Sequence, residues 1–292
     1  MALYLWQELR EEEFAEVLEK TDRTCVIPIG CIERHGQHTA LGTDDFIAEE
    51  MVRRVGEIEP ICIFPTLWTG CVAGSYVNRA GHVILSQPLI QRFLEEVVAE
   101  IARNGFNKII FANAHGGNHW LLHNFIKSQE MYKKDYALFY KITYDYDIGA
   151  LVRDLDAGVE FPTLTENDKA LVREIHYNKI VYGHACLFET SQLMALRPDA
   201  VHLDRATAVS GASTGKGDYL KAVCLGGDGL NFPNGVAGHN PECSNDRLGN
   251  VFVEKEIEIF VNSIRTIKND KDLPGRIEEA KQKAPYIYSP RS

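Results

Sequence analysis

The 292-residue chain has no C-x-x-C pair and no surplus of positive charge. Its longest apolar runs fall short of the roughly 18 residues that a membrane span requires, which excludes a helical membrane protein. Lysine and arginine number 31 against 41 acidic residues, a formal net charge of −10. That balance repels phosphate backbones and anionic membrane surfaces, so neither nucleic acid nor a membrane is expected as partner, and a small-molecule substrate fits better. Seven cysteines, Cys25, Cys31, Cys62, Cys71, Cys186, Cys224 and Cys243, make an odd set, several of them inside apolar runs. They read as small hydrophobes in a reducing compartment, which points to the cytoplasm, rather than as a disulfide framework. The opening MALYLWQELREEEF turns acidic after six residues and lacks the basic start of a secretory leader.

What the chain does contain is an ordinary globular balance, 45% hydrophobic and 25% charged, arranged as alternating strand and helix patterns. Thr24 to Ile29, Ile61 to Phe64, Lys108 to Ala112 and Ala137 to Ile142 read as short buried strands. Helical spacing covers Phe46 to Val55, His119 to Glu130, Glu166 to Tyr177 and Asp246 to Ile267. It is clearest over Gln87 to Asn104, where Leu89, Phe93, Val97 and Ile101 recur every four residues between Ser86 and Gly105. Gly70 to Gly81 reads as a loop, and the charged tail after Lys268 as a peripheral helix with a frayed end. With no repeat, low-complexity tract or linker, residues 1–292 are expected to form one domain, an α/β/α sandwich around a mostly parallel central sheet.

In such a sheet ligands bind beyond the carboxyl ends of the strands. Two polar clusters occupy that place: Gly30-Cys-Ile-Glu-Arg-His-Gly-Gln-His after the first strand, and Asn113-Ala-His-Gly-Gly-Asn after Lys108 to Ala112. Glu33 and His35, two apart in an extended segment, project to one side. Asp44 follows the turn-forming Leu41-Gly42-Thr43, His115 follows a different strand, and Glu189 lies in His184-Ala-Cys-Leu-Phe-Glu-Thr-Ser. Two imidazoles and three carboxylates suit Zn²⁺ or Mn²⁺, with Fe²⁺ also compatible. Five ligands fit two metals that share a bridging carboxylate and keep open positions for water and substrate. Taken singly, His115 reads equally well as a helix-capping or loop histidine, and Glu33 as a surface acid paired with Arg34 or Arg53.

Together these motifs resemble the creatininase family over most of the chain. Ile27-Pro-Ile-Gly-Cys-Ile-Glu-Arg-His-Gly-Gln-His with Leu41-Gly-Thr-Asp, Asn113 to Asn118, His184 to Ser191 and Gly235-Val-Ala-Gly are similar to the family's ordered elements. The resemblance implies that Glu33 and His115 hold one metal, His35 and Glu189 the other, and that Asp44 bridges them. Some family members draw a ligand from a glutamate two residues beyond the His115 position; here that residue is Gly117, which favours Glu189. His184 matches a histidine beside the reacting group, a candidate proton shuttle, and His38 one that orients the ligand loop. Glu33, His184 and Glu189 are therefore the candidate catalytic residues. Homo-oligomers, hexamers among them, are also implied.

Departures from the family pattern bear on the substrate. Cys186-Leu187 stands where Gly-Glu is common, and His82 and His239 are additions, so these four residues are candidate substrate contacts and creatinine itself is doubtful. The expected reaction is hydrolysis of a C–N bond in a small cyclic or linear amide by a metal-bound hydroxide. The alternatives are ring-opening C–C hydrolysis of a cyclic ketone such as a keto-inositol, and a metal- or ligand-binding protein without turnover.

Overall fold

The computed structural model describes residues 2–72, 80–180, 183–208, 211–218, 228–238 and 241–287. Five strands form the central sheet: β1 (Tyr4–Leu5), β2 (Thr24–Ile29), β3 (Cys62–Ile63), β4 (Lys108–Asn113) and β6 (Ala137–Ile142), in the order β1-β3-β2-β4-β6. Every ladder between them is parallel, with Ile29 opposite Asn113 and Asn113 opposite Ile142. A two-stranded parallel ribbon, β5 (Tyr132–Lys133) with β7 (Tyr286–Ile287), lies apart.

Side-chain alternation along the strands builds the two flanking layers. Cys25, Ile27 and Ile29 of β2 and Ile109 and Phe111 of β4 face one way. They pack on α1 (Phe14–Lys20), α3 (Gln87–Arg103) and α4 (Asn118–Gln129). Val26, Ile110 and Ala112 face the other way, against α2 (Thr43–Ile58), α7 (Leu187–Leu196) and α9 (Asp246–Asn269). The remaining helices are α5 (Ile148–Asp156), α6 (Glu166–Tyr177), the short α8 (Asp228–Asn231) and α10 (Leu273–Lys283). α5 and α6 add a third cluster against the ends of α7 and α9, where Ile148, Leu151, Val172, Leu187 and Phe252 are buried together. The α/β/α layering and the parallel sheet agree with the sequence pattern. Among the described residues no helix is long and apolar enough to cross a membrane.

Several details depart from the pattern. On α3 the buried stripe is Ile90, Leu94, Val98 and Ile101, while Leu89 and Phe93 are exposed. The helix is apolar at adjacent positions, and the face chosen is the one that fits β4. Ser86 stands at its N-cap without a side-chain cap bond. α2 begins three residues earlier than its apolar spacing suggests, because its first turn is polar: Asp44 and Asp45 are favoured there by the helix dipole. Trp6 follows edge strand β1 and packs on Phe14, Phe64 and Phe106. α7 carried no periodic signal because it is buried on nearly every side. Gly249 of α9 lies so close to it that a Cβ there would sit 1.8 Å from the Ser191 carbonyl oxygen.

Candidate metal centre

β2 and β4 end side by side, and the chain leaving each is tied to the other. Asn118, at the start of α4, donates from Nδ2 to the Gly30 carbonyl (3.0 Å) and accepts at Oδ1 from the Cys71 amide (2.9 Å). Asn113 folds the next turn, accepting from the His115 amide (3.2 Å) and donating to its carbonyl (2.8 Å). Gly30 lets the first turn of α2 approach: a Cβ there would be 2.5 Å from the Asp45 nitrogen. Asp44 therefore reaches the strand ends from a helix, not from a folded-back loop as its sequence context suggests.

The two carboxylate oxygens of Asp44 part company. Oδ1 lies 3.2 Å from His35 Nε2 and Oδ2 lies 3.0 Å from His115 Nδ1. Glu33 Oε1 is 3.1 Å from that same His115 nitrogen, and Glu189 Oε2 is 3.5 Å from that same His35 nitrogen. The structure thus brings Glu33, His35, Asp44, His115 and Glu189 together. Donor atoms of Glu33, His35 and His184 also lie within 4.8 Å of one another, as two side chains projecting to one side allow.

The far nitrogen of each ring is committed to a carbonyl, which can only accept a hydrogen. His35 Nδ1 donates to the Glu33 carbonyl (3.1 Å) and His115 Nε2 to that of Cys71 (2.9 Å). In the neutral rings the inward nitrogens then carry lone pairs aimed at carboxylate oxygens. Two electron-pair donors at 3.0 to 3.5 Å attract only when a proton or a cation lies between them. Asp44 Oδ2 is buried and makes no hydrogen bond. The donor set and its orphaned oxygen fit divalent cations of the Zn²⁺ or Mn²⁺ kind.

The electrostatics show the same demand for positive charge. Burial alone would push the pKa of both histidines down, but the charges of Glu189 and Asp44 on His35, and of Asp44 and Glu33 on His115, raise them well above the ordinary value. Burial likewise opposes ionisation of Asp44 and Glu33, yet the facing histidines hold both carboxyls below the usual range. Asp45, buried beside Asp44, is raised to about 7.

His184 stacks on His35, with ring centroids 4.3 Å apart. Its Nε2 donates to the Arg34 carbonyl (2.7 Å) and its Nδ1 faces Glu33 Oε1 at 3.5 Å. A two-residue antiparallel bridge to Ala237 holds the segment. Ala185, at φ 50°, then turns the chain into α7, and its amide donates to the Glu189 carboxylate. The Gly235-Val-Ala-Gly element noted in the sequence is thereby the clamp on His184. His38 is buried behind the ligand loop, with Nε2 3.0 Å from Thr190 Oγ1. Burial and the charge of His35 push it down to about 4.

The expected substrate contacts fare differently. His82 is half-buried beside the centre, within the influence of Glu33, Arg34, His184 and His35. Cys186 and Leu187 are a correction: both are wholly buried in the cluster with Ile148, Val172 and Phe252. Their apolar character serves the packing of α7, and neither is among the described residues that line the cavity beside Glu189. His239 lies outside the described residues. A cavity of about 200 Å³ opens instead beside Glu189, lined by Tyr144, Asp147, Phe188, Gln192 and Gly116. Tyr140, Tyr144 and Tyr146 read in the sequence as core and pocket wall, and Tyr144 lines this cavity, whereas Asp147, Phe188 and Gln192 carry no motif that singles them out.

A parallel α/β/α frame with two imidazoles and three carboxylates converging beyond its strand ends is that of a hydrolytic enzyme. Residues 7–264 match the creatininase model, described as creatinine amidohydrolase, and the chain belongs to the creatininase family. The creatinine amidohydrolase of Pseudomonas putida is 24% identical over 205 residues, 68% of this chain and 74% of that protein. The 3-dehydro-scyllo-inosose hydrolase of Thermotoga maritima is 26% identical over 111 residues, 38% of this chain and 35% of that protein. Among solved structures, a creatinine amidohydrolase superposes with a TM-score of 0.72 at 18% identity, covering 93% of this chain and 100% of that one. A creatininase described as the manganese form superposes at 0.70 with 18% identity, covering 92% and 100%. A mutant creatininase described as a zinc–zinc type gives 0.70, 18%, 92% and 100%.

Proposed function

We propose that the protein is a two-metal hydrolase that cleaves the C–N bond of a small cyclic or linear amide. The observation that carries this reading is the opposed pair of inward histidine nitrogens, one on each oxygen of Asp44, each completed by a second carboxylate. Glu33 and His115 would hold one cation, His35 and Glu189 the other, and Asp44 both. Bound there, two divalent cations supply the charge that makes water a nucleophile at neutral pH and polarises a substrate carbonyl. The zinc and manganese forms of related creatininases support that choice of metal.

The chain's own groups do the rest. His184, with Nε2 fixed on the Arg34 carbonyl, presents Nδ1 at the edge of the centre, where it can deliver a proton to the departing nitrogen. Glu33 Oε1 faces both His115 Nδ1 at 3.1 Å and His184 Nδ1 at 3.5 Å. The cavity of about 200 Å³ beside Glu189 lies below the usual range of ligand pockets and admits only a small substrate. Tyr144 and Phe188 give it flat apolar walls, and Gln192 and Asp147 provide hydrogen-bonding ends.

Metal analysis together with a substrate panel tests this. The purified protein is expected to carry two divalent ions per chain and to hydrolyse members of a panel of lactams, cyclic ureides, the cyclic acylguanidine creatinine, and short linear amides. Consumption of a keto-inositol with no amide turnover would replace the bond assignment by C–C cleavage. Full activity without metal would end the proposal.

A further inference from the structure

Cys31 leaves β2 directly after Gly30 and is fully buried. Its Sγ, a carboxylate oxygen of Asp44 and a ring nitrogen of His115 all lie within 4.8 Å of one another. We infer that Cys31 is a thiolate ligand of the cation shared by Asp44 and His115. That position then has nitrogen, oxygen and sulfur donors, whereas the position at His35 and Glu189 has nitrogen and oxygen alone. The inference rests on the two-metal reading above and adds an asymmetry between its two sites.

Three observations support it beyond proximity. The Asp44 oxygen on this side, Oδ2, is the buried one that makes no hydrogen bond, so a cation here would satisfy an acceptor that the protein leaves open. Room is kept for the sulfur: a Cβ on Gly70 would lie 2.7 Å from Cys31 Cβ and 2.9 Å from its Sγ, which only a glycine avoids. The surroundings are also wrong for a cysteine that is merely filling space. Cys25 sits in the large apolar cluster between β2 and α3, but among the described residues Cys31 clusters with one buried apolar residue, Val72. The carboxylates of Glu33, Asp44 and Asp45 act on it electrostatically, and that of Asp44 lies within 4.8 Å of its sulfur. Ligation exchanges one thiol proton for the metal, releases that proton to solvent and changes no oxidation state. A sulfur donor makes this position prefer borderline-soft ions such as Zn²⁺ and Co²⁺ over Mn²⁺, so the two positions should differ in metal preference.

The test reloads the metal-stripped full-length protein with Co²⁺ and follows its near-ultraviolet spectrum. A thiolate-to-cobalt charge-transfer band is expected in the wild type and in Cys71→Ser, and its loss is expected in Cys31→Ser. Binding of two cobalt ions with no such band would overturn the role of Cys31 and leave the two-metal centre standing. Failure to bind cobalt at all would overturn both. A band lost in Cys71→Ser but kept in Cys31→Ser would also refute the assignment, moving the sulfur to the neighbouring cysteine. Should Cys31→Ser not fold, X-ray absorption at the zinc edge of the wild type decides: a sulfur at about 2.3 Å supports the ligand, and nitrogen and oxygen scatterers alone reject it.

Discussion

Asp44 and His115 meet at 3.0 Å through Oδ2 and Nδ1, while the other nitrogen of that ring is anchored 2.9 Å from the Cys71 carbonyl. The second oxygen of the same aspartate faces His35. One carboxylate thus stands between both imidazoles, and losing it should not resemble losing any other ligand.

Asp44→Asn keeps the shape and removes the shared charge. Metal content is expected to fall from two ions per chain to nearly none, while Glu189→Gln, which touches only the His35 side, should leave about one. Plasma mass spectrometry of the dialysed variants measures both. An Asp44→Asn protein that still holds two ions would remove the bridge.

The metal-free protein should lose stability as pH rises. Both His35 and His115 have folded-state pKa values raised well above 6.5 by the facing carboxylates. Each therefore contributes stability that is complete below about pH 6.5 and disappears as pH climbs through the folded value. Cations replace those protons, so the melting temperature gained on adding Zn²⁺ should grow from pH 6 to pH 8. A gain independent of pH would contradict the two neutral-ring ligands.

Gly117 has φ −64° and ψ −23°, a conformation open to any residue, so it is there for space. A Cβ would lie 2.3 Å from the Cys71 carbonyl oxygen and 2.4 Å from His115 Nε2. Gly117→Ala should push the ring off its anchor and weaken metal affinity by about 10–100-fold, the usual cost of losing a partner that orients a ligand. Isothermal titration with Zn²⁺ would show it, and unchanged affinity would mean that the anchor is dispensable. Any side chain at this position meets the same clash, which accords with the proposal that the acid is Glu189 of α7.

His184→Gln separates chemistry from binding. Gln can still donate to the Arg34 carbonyl but cannot pass on a proton, so kcat is expected to drop about 10²–10⁴-fold with metal content intact. Amides with good leaving groups should suffer least. Equal losses across leaving groups would assign His184 a purely positional role.

Much of this frame could be read from the residues, and the failures have physical causes. β2 and β4 were legible because both faces of each strand are covered, which demands continuous apolar runs such as Cys25 to Ile29 and Ile109 to Ala112. The polar clusters that follow them stood out against that background. α7 was not legible as a helix, since a segment buried on nearly all sides has no periodic face to show, and Glu189 was visible only through its motif. Cys186 and Leu187 misled for the same reason: apolar residues beside a candidate ligand read as pocket wall, when burial of the helix explains them. On α3 the apolar residues at adjacent positions left the choice of face to contacts made by a distant strand. Nothing local in the sequence could tell Leu89 from Ile90.

A buried ion pair behind the sheet should matter more to folding than to catalysis. Glu256 of α9 is fully buried, accepts from the Tyr146 amide at 2.8 Å and pairs with Lys141 of β6. Burial raises its pKa, and Lys141 only partly offsets that. Lys141→Met would leave the carboxylate without its counter-charge, a loss of about 3–5 kcal/mol when the acid is ionised. The variant pushes the folded-state pKa of Glu256 further above 4.5, so the damage should be small near pH 5, where the acid is neutral, and grow towards pH 8. Adding Glu256→Gln removes the charge altogether and should restore much of the stability at pH 8 while abolishing the pH dependence. Urea unfolding of the two variants at both pH values measures this, and a single variant as stable as wild type at pH 8 would show that water and the Tyr146 amide already compensate the carboxylate.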